Sequence, residues 1–201
     1  MIRLIVGIVI FMLMITTAYA QDNETKTMGK LPYYEIPAYP ESYTAESVAA
    51  RMIDGLGFRY YWATEGLRPE DLAFRPNEEA RTTEETIDHL LGLSNVVVHS
   101  IQQIANTGTS TEGMTFEEKR TKTLNNLKTA SDILKSGKVK LEDCKLVFQN
   151  ANGTSEYPFW NNINGPIADA MWHCGQVVSF RRSSGNPFNS NVSVFSGRLR
   201  N

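Results

Sequence analysis

The chain has 201 residues, with 20 basic and 22 acidic side chains and a formal net charge of −2. Nucleic acid is excluded as an expected partner, because binding to phosphate backbones requires clustered Lys and Arg and the sequence has no basic stripe. Hydrophobic residues make up 41% of the chain, which predicts one folded globular domain with a full core.

Residues 1–20 have the pattern of a cleavable secretory signal. Arg3 precedes an apolar run at 4–15, and an Ala-Tyr-Ala motif at 18–20 supplies the small residues of a cleavage site. The run is shorter than the about 20 apolar residues that a membrane helix needs. We therefore expect an exported protein, periplasmic or secreted, without a stable membrane anchor after cleavage. An uncleaved N-terminal anchor is the alternative.

Two segments at the ends of the chain have no helical pattern. Residues 21–43 become rich in Pro and Tyr, which predicts an extended N-terminal arm because Pro fixes φ and lacks a backbone donor. Residues 188–201 are expected to form a C-terminal tail. The domain between them is predicted to span 44–187.

Apolar residues recur at helical spacing in four segments of that domain. Two of these segments begin with a capping box, Thr82-x-x-Glu85 and Thr115-x-x-Glu118. The predicted helices cover residues 44–66, 82–105, 115–137 and 166–185. Two short runs around Asn152-Gly153 predict a β-hairpin before the last helix. The expected fold is all-α, a four-helix bundle with this hairpin inserted.

The most informative spacing for function is that of Asp169 and His173. Residues at i and i+4 lie on one face of a helix, so this carboxylate and imidazole can bind one ion. His89, in the second predicted helix, is a third ligand from a facing helix. Together they predict an open site for a divalent ion (Zn, Ni, Mn or Fe), with the catalytic residues unknown. His99 is expected to be either hydrogen-bonded or exposed, without a part in the site.

Several neighbouring residues have two interpretations. Aromatic residues at helical spacing are more often core, so that role is favoured for Trp62 and Trp172. A weaker interpretation places Trp62 and Gln176 in a substrate pocket. On a helical wheel Cys174 falls opposite Asp169 and His173. It and the other cysteine, Cys144, either pair or remain buried thiols, and buried thiols are favoured.

The domain resembles the DinB/YfiT-like family of four-helix-bundle proteins over residues 45–187. The resemblance is carried by YWATEGL at 61–67, FRP at 74–76, TIDHL at 86–90 and DAMWHCGQ at 169–176. It implies a metal-dependent hydrolase, or a thiol or other group transferase, that acts on a small molecule. A homodimer is also compatible with this assignment.

The family's ligands are one His at the position of His89 and a His-x-x-x-His pair on the last helix. Here Asp169 occupies the first position of that pair and His173 the second. The site is therefore either a version with two histidines and one carboxylate or a lost metal site. In the second case the protein is a non-catalytic helical bundle that binds a ligand or partner.

Overall fold

Four long helices dominate residues 30–200, the part of the chain that the computed structural model describes. The predicted secretory signal lies outside these residues. The helices are α1 Ala45–Thr64, α2 Pro69–Ala73, α3 Thr83–Gln102, α4 Phe116–Lys135, α5 Trp160–Asn162 and α6 Ala168–Ser183. The strands are β1 Leu146–Asn150, β2 Gly153–Tyr157, β3 Val192–Ser193 and β4 Arg198–Leu199.

The long helices enclose one apolar core. Helices α1 and α3 each pack against both α4 and α6. The fully buried side chains between them include Ile53, Phe58, Ile87, Leu91, Leu124 and Leu127. Each contributes about 1.5–3 kcal/mol through removal of apolar surface from water. The four helical segments are confirmed. The all-α bundle class is not, because two small antiparallel sheets are also present, and the fold is mostly helical.

Side-chain caps begin three of these helices. The predicted capping boxes are confirmed. The side chains of Thr82 and Thr115 each accept a hydrogen bond from the backbone N–H of the Glu three residues later, and the backbone N–H of each Thr donates to the carboxylate of that Glu. Helix α1 has the same arrangement with Thr44 and Ser47. A cap of this kind contributes about 0.5–2 kcal/mol and fixes where the helix starts.

The predicted hairpin is present and is attached to the end of α3. Strands β1 and β2 are antiparallel, with Leu146 opposite Tyr157. The backbone N–H of Asn106 donates to the Val147 carbonyl at 2.7 Å, and that of Gln149 donates back to Asn106 at 2.8 Å. A second, unpredicted pairing joins β3 and β4 within the C-terminal tail.

The last helical segment begins earlier than the predicted start at Pro166. It starts with α5 at Trp160, continues through a π-helical turn at Ile163–Ile167 and becomes α6 at Ala168. In a regular α-helix the Pro166 ring would clash with the carbonyl four residues earlier. The wider π turn accommodates the ring, so the helical segment continues past Pro166 into α6.

The N-terminal arm is fastened to α1 through Tyr33, which is only 4% exposed. Its hydroxyl donates to Asp54 Oδ1 at 3.1 Å, and Asp54 also pairs with Lys135 of α4. Gly57 faces the Tyr33 ring, and a Cβ at that glycine would lie 2.4 Å from the nearest ring atom. The missing side chain of Gly57 therefore makes room for the arm.

Candidate metal centre

Helices α3 and α6 bring together the three predicted ligands. His89 Nε2 lies 3.1 Å from Asp169 Oδ2, and His173 Nε2 lies 3.4 Å from Asp169 Oδ1. The two imidazole rings are perpendicular, with centroids 4.7 Å apart. One ligand atom from each residue lies within 4.8 Å of the others, so this group could hold a metal ion.

Gln176 orients one of these ligands. Its side-chain oxygen lies 2.7 Å from His173 Nδ1 and accepts the proton of that nitrogen. The residue comes three positions after His173 on α6, so one turn of helix is enough to bring the two side chains together. Metal-binding histidines commonly donate their second ring nitrogen in this way, which fixes the tautomer. Gln176, predicted for a substrate pocket, thus lies beside a candidate metal ligand.

The tautomer of His173 with its proton on Nδ1 brings two electron-rich groups together at the centre, Nε2 of that ring and the Asp169 carboxylate. When the neutral ring has its proton on Nδ1, Nε2 presents a lone pair toward the Asp169 carboxylate. A carboxylate oxygen and an imidazole lone pair at 3.4 Å repel each other unless a cation lies between them. The arrangement therefore suits either a metal ion or a shared proton.

The separations between the ligand atoms fit a metal ion. Two ligands of a tetrahedral zinc ion, each about 2.0–2.1 Å from it, lie about 3.3 Å apart. The separations of 3.1 and 3.4 Å, which join the two histidines to different oxygens of Asp169, lie close to that value, and one atom from each of the three residues lies within 4.8 Å of the others. The donor set of two imidazoles and one carboxylate is also one that Zn, Ni, Mn and Fe accept.

Solvent reaches the centre. The side chains of His89, Asp169 and His173 are 32%, 41% and 17% exposed, respectively. Catalytic metal sites differ from structural ones in keeping a position open for water or substrate. Three candidate ligands at the surface of the α3–α6 contact would leave such a position.

A buried lysine that no sequence pattern singled out pairs with two acidic residues of α3, one of which, Asp88, directly precedes His89 in the chain. Lys119 is 5% exposed, and its Nζ lies 2.8 Å from Asp88 and 3.1 Å from Glu84. Burial alone would lower the pKa of Lys119, but hydrogen bonds to Asp88 and Glu84 outweigh it and the pKa is raised. Asp88 is thus paired with a cation. The available signal was the position of Lys119 two turns before Leu127 on the buried face of α4.

The two tryptophans occupy opposite environments. Trp62 is 6% exposed, its indole donates to the Tyr34 carbonyl at 3.1 Å, and its ring packs against Tyr34 and Tyr61. The core role predicted for Trp62 is confirmed. The same prediction is wrong for Trp172, which is 78% exposed because it lies on the side of α6 that faces solvent.

Both cysteines are buried and unpaired, which confirms the favoured interpretation. Burial raises the pKa of Cys174 to about 12 and that of Cys144 to about 11. A thiol with so high a pKa is protonated at neutral pH and is a poor nucleophile or ligand. The structure also confirms that His99 is hydrogen-bonded, because its Nδ1 lies 2.9 Å from Asn106 Oδ1.

Arg181 has a larger structural role than the charge at the end of α6 that its position suggests. It is 5% exposed, and its guanidinium donates to the carbonyls of Trp62, Ala63 and Glu65 at the end of α1. These are carbonyls that the last turn of a helix leaves without partners. Arg181 therefore caps α1 from α6.

No family model, curated protein or solved structure matches this chain. Within residues 30–200, every helix is too short or too polar to cross a membrane.

Proposed function

We propose that the protein is a metal-dependent enzyme of the DinB/YfiT type that hydrolyses, or transfers a group to or from, a small molecule. The observation that carries the proposal is the convergence of His89, Asp169 and His173, with His173 Nε2 facing the carboxylate and His173 Nδ1 hydrogen-bonded to Gln176. Four long helices that pack in one ring, with ligands on two of them, are the arrangement that the family resemblance implies.

Each residue of the centre has a distinct role in this proposal. His89, Asp169 and His173 hold the ion, and Gln176 keeps the His173 ring in the orientation that binding requires. A bound divalent ion would act as a Lewis acid, which polarises a carbonyl or phosphoryl oxygen or holds the thiolate of a thiol substrate. Both hydrolysis and thiol transfer use that property.

The carboxylate distinguishes this centre from a site with three histidines. An oxygen ligand at position 169 adds negative charge and favours harder ions such as Mn²⁺ relative to an imidazole there. The His/His/Asp set still accepts Zn²⁺ and Ni²⁺. We therefore propose a divalent ion as the cofactor and a small molecule as the partner.

Calorimetric titration of the metal-stripped protein with Zn²⁺, Ni²⁺ and Mn²⁺ tests the proposal. We expect saturable binding of one ion and a higher melting temperature with the ion, because an ion that binds only the folded state stabilises it. Single substitutions of His89, Asp169 and His173 to Ala should each reduce affinity by roughly 100-fold or more. His99→Ala is the matched control and should bind as the wild type does.

One observation favours a second function, a non-catalytic bundle that binds a ligand or partner. The 3.1 Å between His89 Nε2 and Asp169 Oδ2 is also a hydrogen-bond distance, as expected if a proton and no metal links them. The same titration separates the two functions. Absence of saturable binding of all three ions would contradict the enzyme proposal and favour the non-catalytic bundle.

We also propose export, supported by the pattern of residues 1–20. Signal cleavage after Ala20 gives a chain that begins at Gln21. Mass spectrometry of the periplasmic or secreted protein measures this directly. Full-length chain confined to the cytosol would contradict it.

A further inference from the structure

A cavity of about 230 Å³ lies on the side of α6 opposite the metal centre. Helix α1 contributes Arg59, α6 contributes Met171, Val178 and Arg182, and the C-terminal tail contributes Phe188. Its α6 residues lie about 140–240° around the helix from Asp169, at about 100° per residue. The cavity is therefore separate from the candidate ligands.

The lining of this cavity combines apolar walls with two cations. Val178 and Phe188 supply apolar surface, whereas Arg59 and Arg182 are the cationic lining groups, and no acidic side chain among residues 30–200 lines the cavity. Arg59 donates one of its five N–H groups to the Gly55 carbonyl at 2.9 Å. Arg182 has no ion pair among residues 30–200. Guanidinium groups favour carboxylates, which they bind through two parallel hydrogen bonds.

Gly175 makes part of this space. It lies on α6, lines the cavity, and a Cβ built on it would meet no atom within 4 Å. A pocket for a drug-sized ligand usually measures about 300–1,000 Å³, so a cavity of 230 Å³ suits a smaller molecule. The small size, apolar walls and positive charge of the cavity together indicate a small anionic ligand with an apolar body.

We propose that this cavity is a binding site for a small monocarboxylate with an apolar body, such as an arylacetate. The carboxylate pairs with Arg59 and Arg182, and the apolar body lies against Val178 and Phe188. The site is independent of the proposed metal chemistry, because its residues include none of the three candidate ligands.

Titration with phenylacetate, followed by NMR on the chelator-treated full chain, tests this site. Chelation prevents the probe from binding through a metal ion. We expect saturable shifts with a Kd of roughly 1 mM or lower, since a ligand of this size has few contacts. Phenylacetamide, which has the same shape without the charge, should bind roughly tenfold more weakly, as should phenylacetate to Arg182→Gln.

Two glycine variants test whether the ligand binds in this cavity. Gly175→Leu fills the space and should abolish binding, while leucine raises helix propensity and so preserves the fold. Gly92→Leu in α3 is the matched control, because a Cβ there also meets no atom within 4 Å, and it should bind as the wild type does. The melting temperature of each variant verifies folding.

Three results would overturn the proposal: no saturable binding of phenylacetate, equal binding of phenylacetamide, or undiminished binding to Gly175→Leu.

Discussion

His173 donates its Nδ1 proton to Gln176 across 2.7 Å, and this hydrogen bond determines that Nε2 faces Asp169. A ring that rotated freely would present the second nitrogen only part of the time and would lose orientational freedom on binding an ion. The amide of Gln176 has already restricted that freedom in the folded protein.

The first prediction follows from this contact. Gln176→Ala should reduce divalent-metal affinity by roughly tenfold to 100-fold, because the ring loses its fixed tautomer and orientation. Gln176→Glu, which keeps an acceptor oxygen, should retain most of the affinity. Calorimetric titration measures both, with Ser179→Ala on the exposed side of α6 as control. Equal affinities for Gln176→Ala and wild type would show that Gln176 does not position the ligand.

The second prediction concerns the carboxylate. Asp169→His should keep saturable binding and should shift the preference from Mn²⁺ toward Zn²⁺ and Ni²⁺, since imidazole is the softer ligand. The ratio of the Zn²⁺ and Mn²⁺ dissociation constants is the measurement. Asp169→Asn is the matched control, because it keeps the size of the side chain and removes its charge. An unchanged ratio in Asp169→His would mean that residue 169 does not contact the ion.

The third prediction concerns acid stability. Asp71 is fully buried, and the hydrogen bonds from Arg68, followed by those from Ser184 and Asn186, hold its pKa well below its usual range. A depressed carboxyl pKa contributes stability that is complete above the unfolded-state pKa of about 3.9 and is lost as the pH falls below it. Asp71→Asn should therefore lower the free energy of unfolding by about 2–4 kcal/mol at pH 7 and by less at pH 3.

Urea denaturation at both pH values measures this difference for Asp71→Asn. Asp143→Asn, at an exposed carboxylate, is the control and should change stability by less than about 0.5 kcal/mol. An equal loss at pH 3 and pH 7 in Asp71→Asn would show that the charge of Asp71 is not the stabilising feature.

The fourth prediction tests the contact between the N-terminal arm and α1. Gly57→Ala should destabilise the protein by about 1–3 kcal/mol, since the new methyl group overlaps the Tyr33 ring. Gly92→Ala has open space and should instead stabilise α3 by up to about 1 kcal/mol through helix propensity. In a Tyr33→Ala background the cost of Gly57→Ala should disappear, and a double-mutant cycle measures that coupling. Additive effects would exclude the contact.

Local patterns in the sequence were sufficient to predict the long helices and the residues at which two of them begin. The boxes at Thr82 and Thr115 depend only on residues three positions apart, so they could be identified without knowledge of the fold. The i, i+4 spacing of Asp169 and His173 is equally local. His89 could be proposed as a third ligand because it lies in a second predicted helix, and its TIDHL segment also resembles the family motif. Its proximity to Asp169 is a property of how α3 packs on α6.

Contacts distant in sequence could not be predicted. Arg181 reaches carbonyls more than 110 positions earlier, so no local pattern around it could indicate these contacts. The contact between the Tyr33 ring and Gly57 could not be predicted either, because a glycine in the sequence does not indicate which residue packs against it. Trp172 was expected in the core because helical spacing alone does not reveal which side of α6 faces water.

The π turn at Ile163–Ile167 also sets the angular phase of the last helical segment. A π turn contains about one residue more than an α turn, and each helical residue corresponds to about 100° of rotation. Deletion of one residue there would rotate Trp160 and the hairpin by about that angle relative to Asp169. The length of this one turn therefore sets the angle around the helix between the hairpin and the candidate metal ligands.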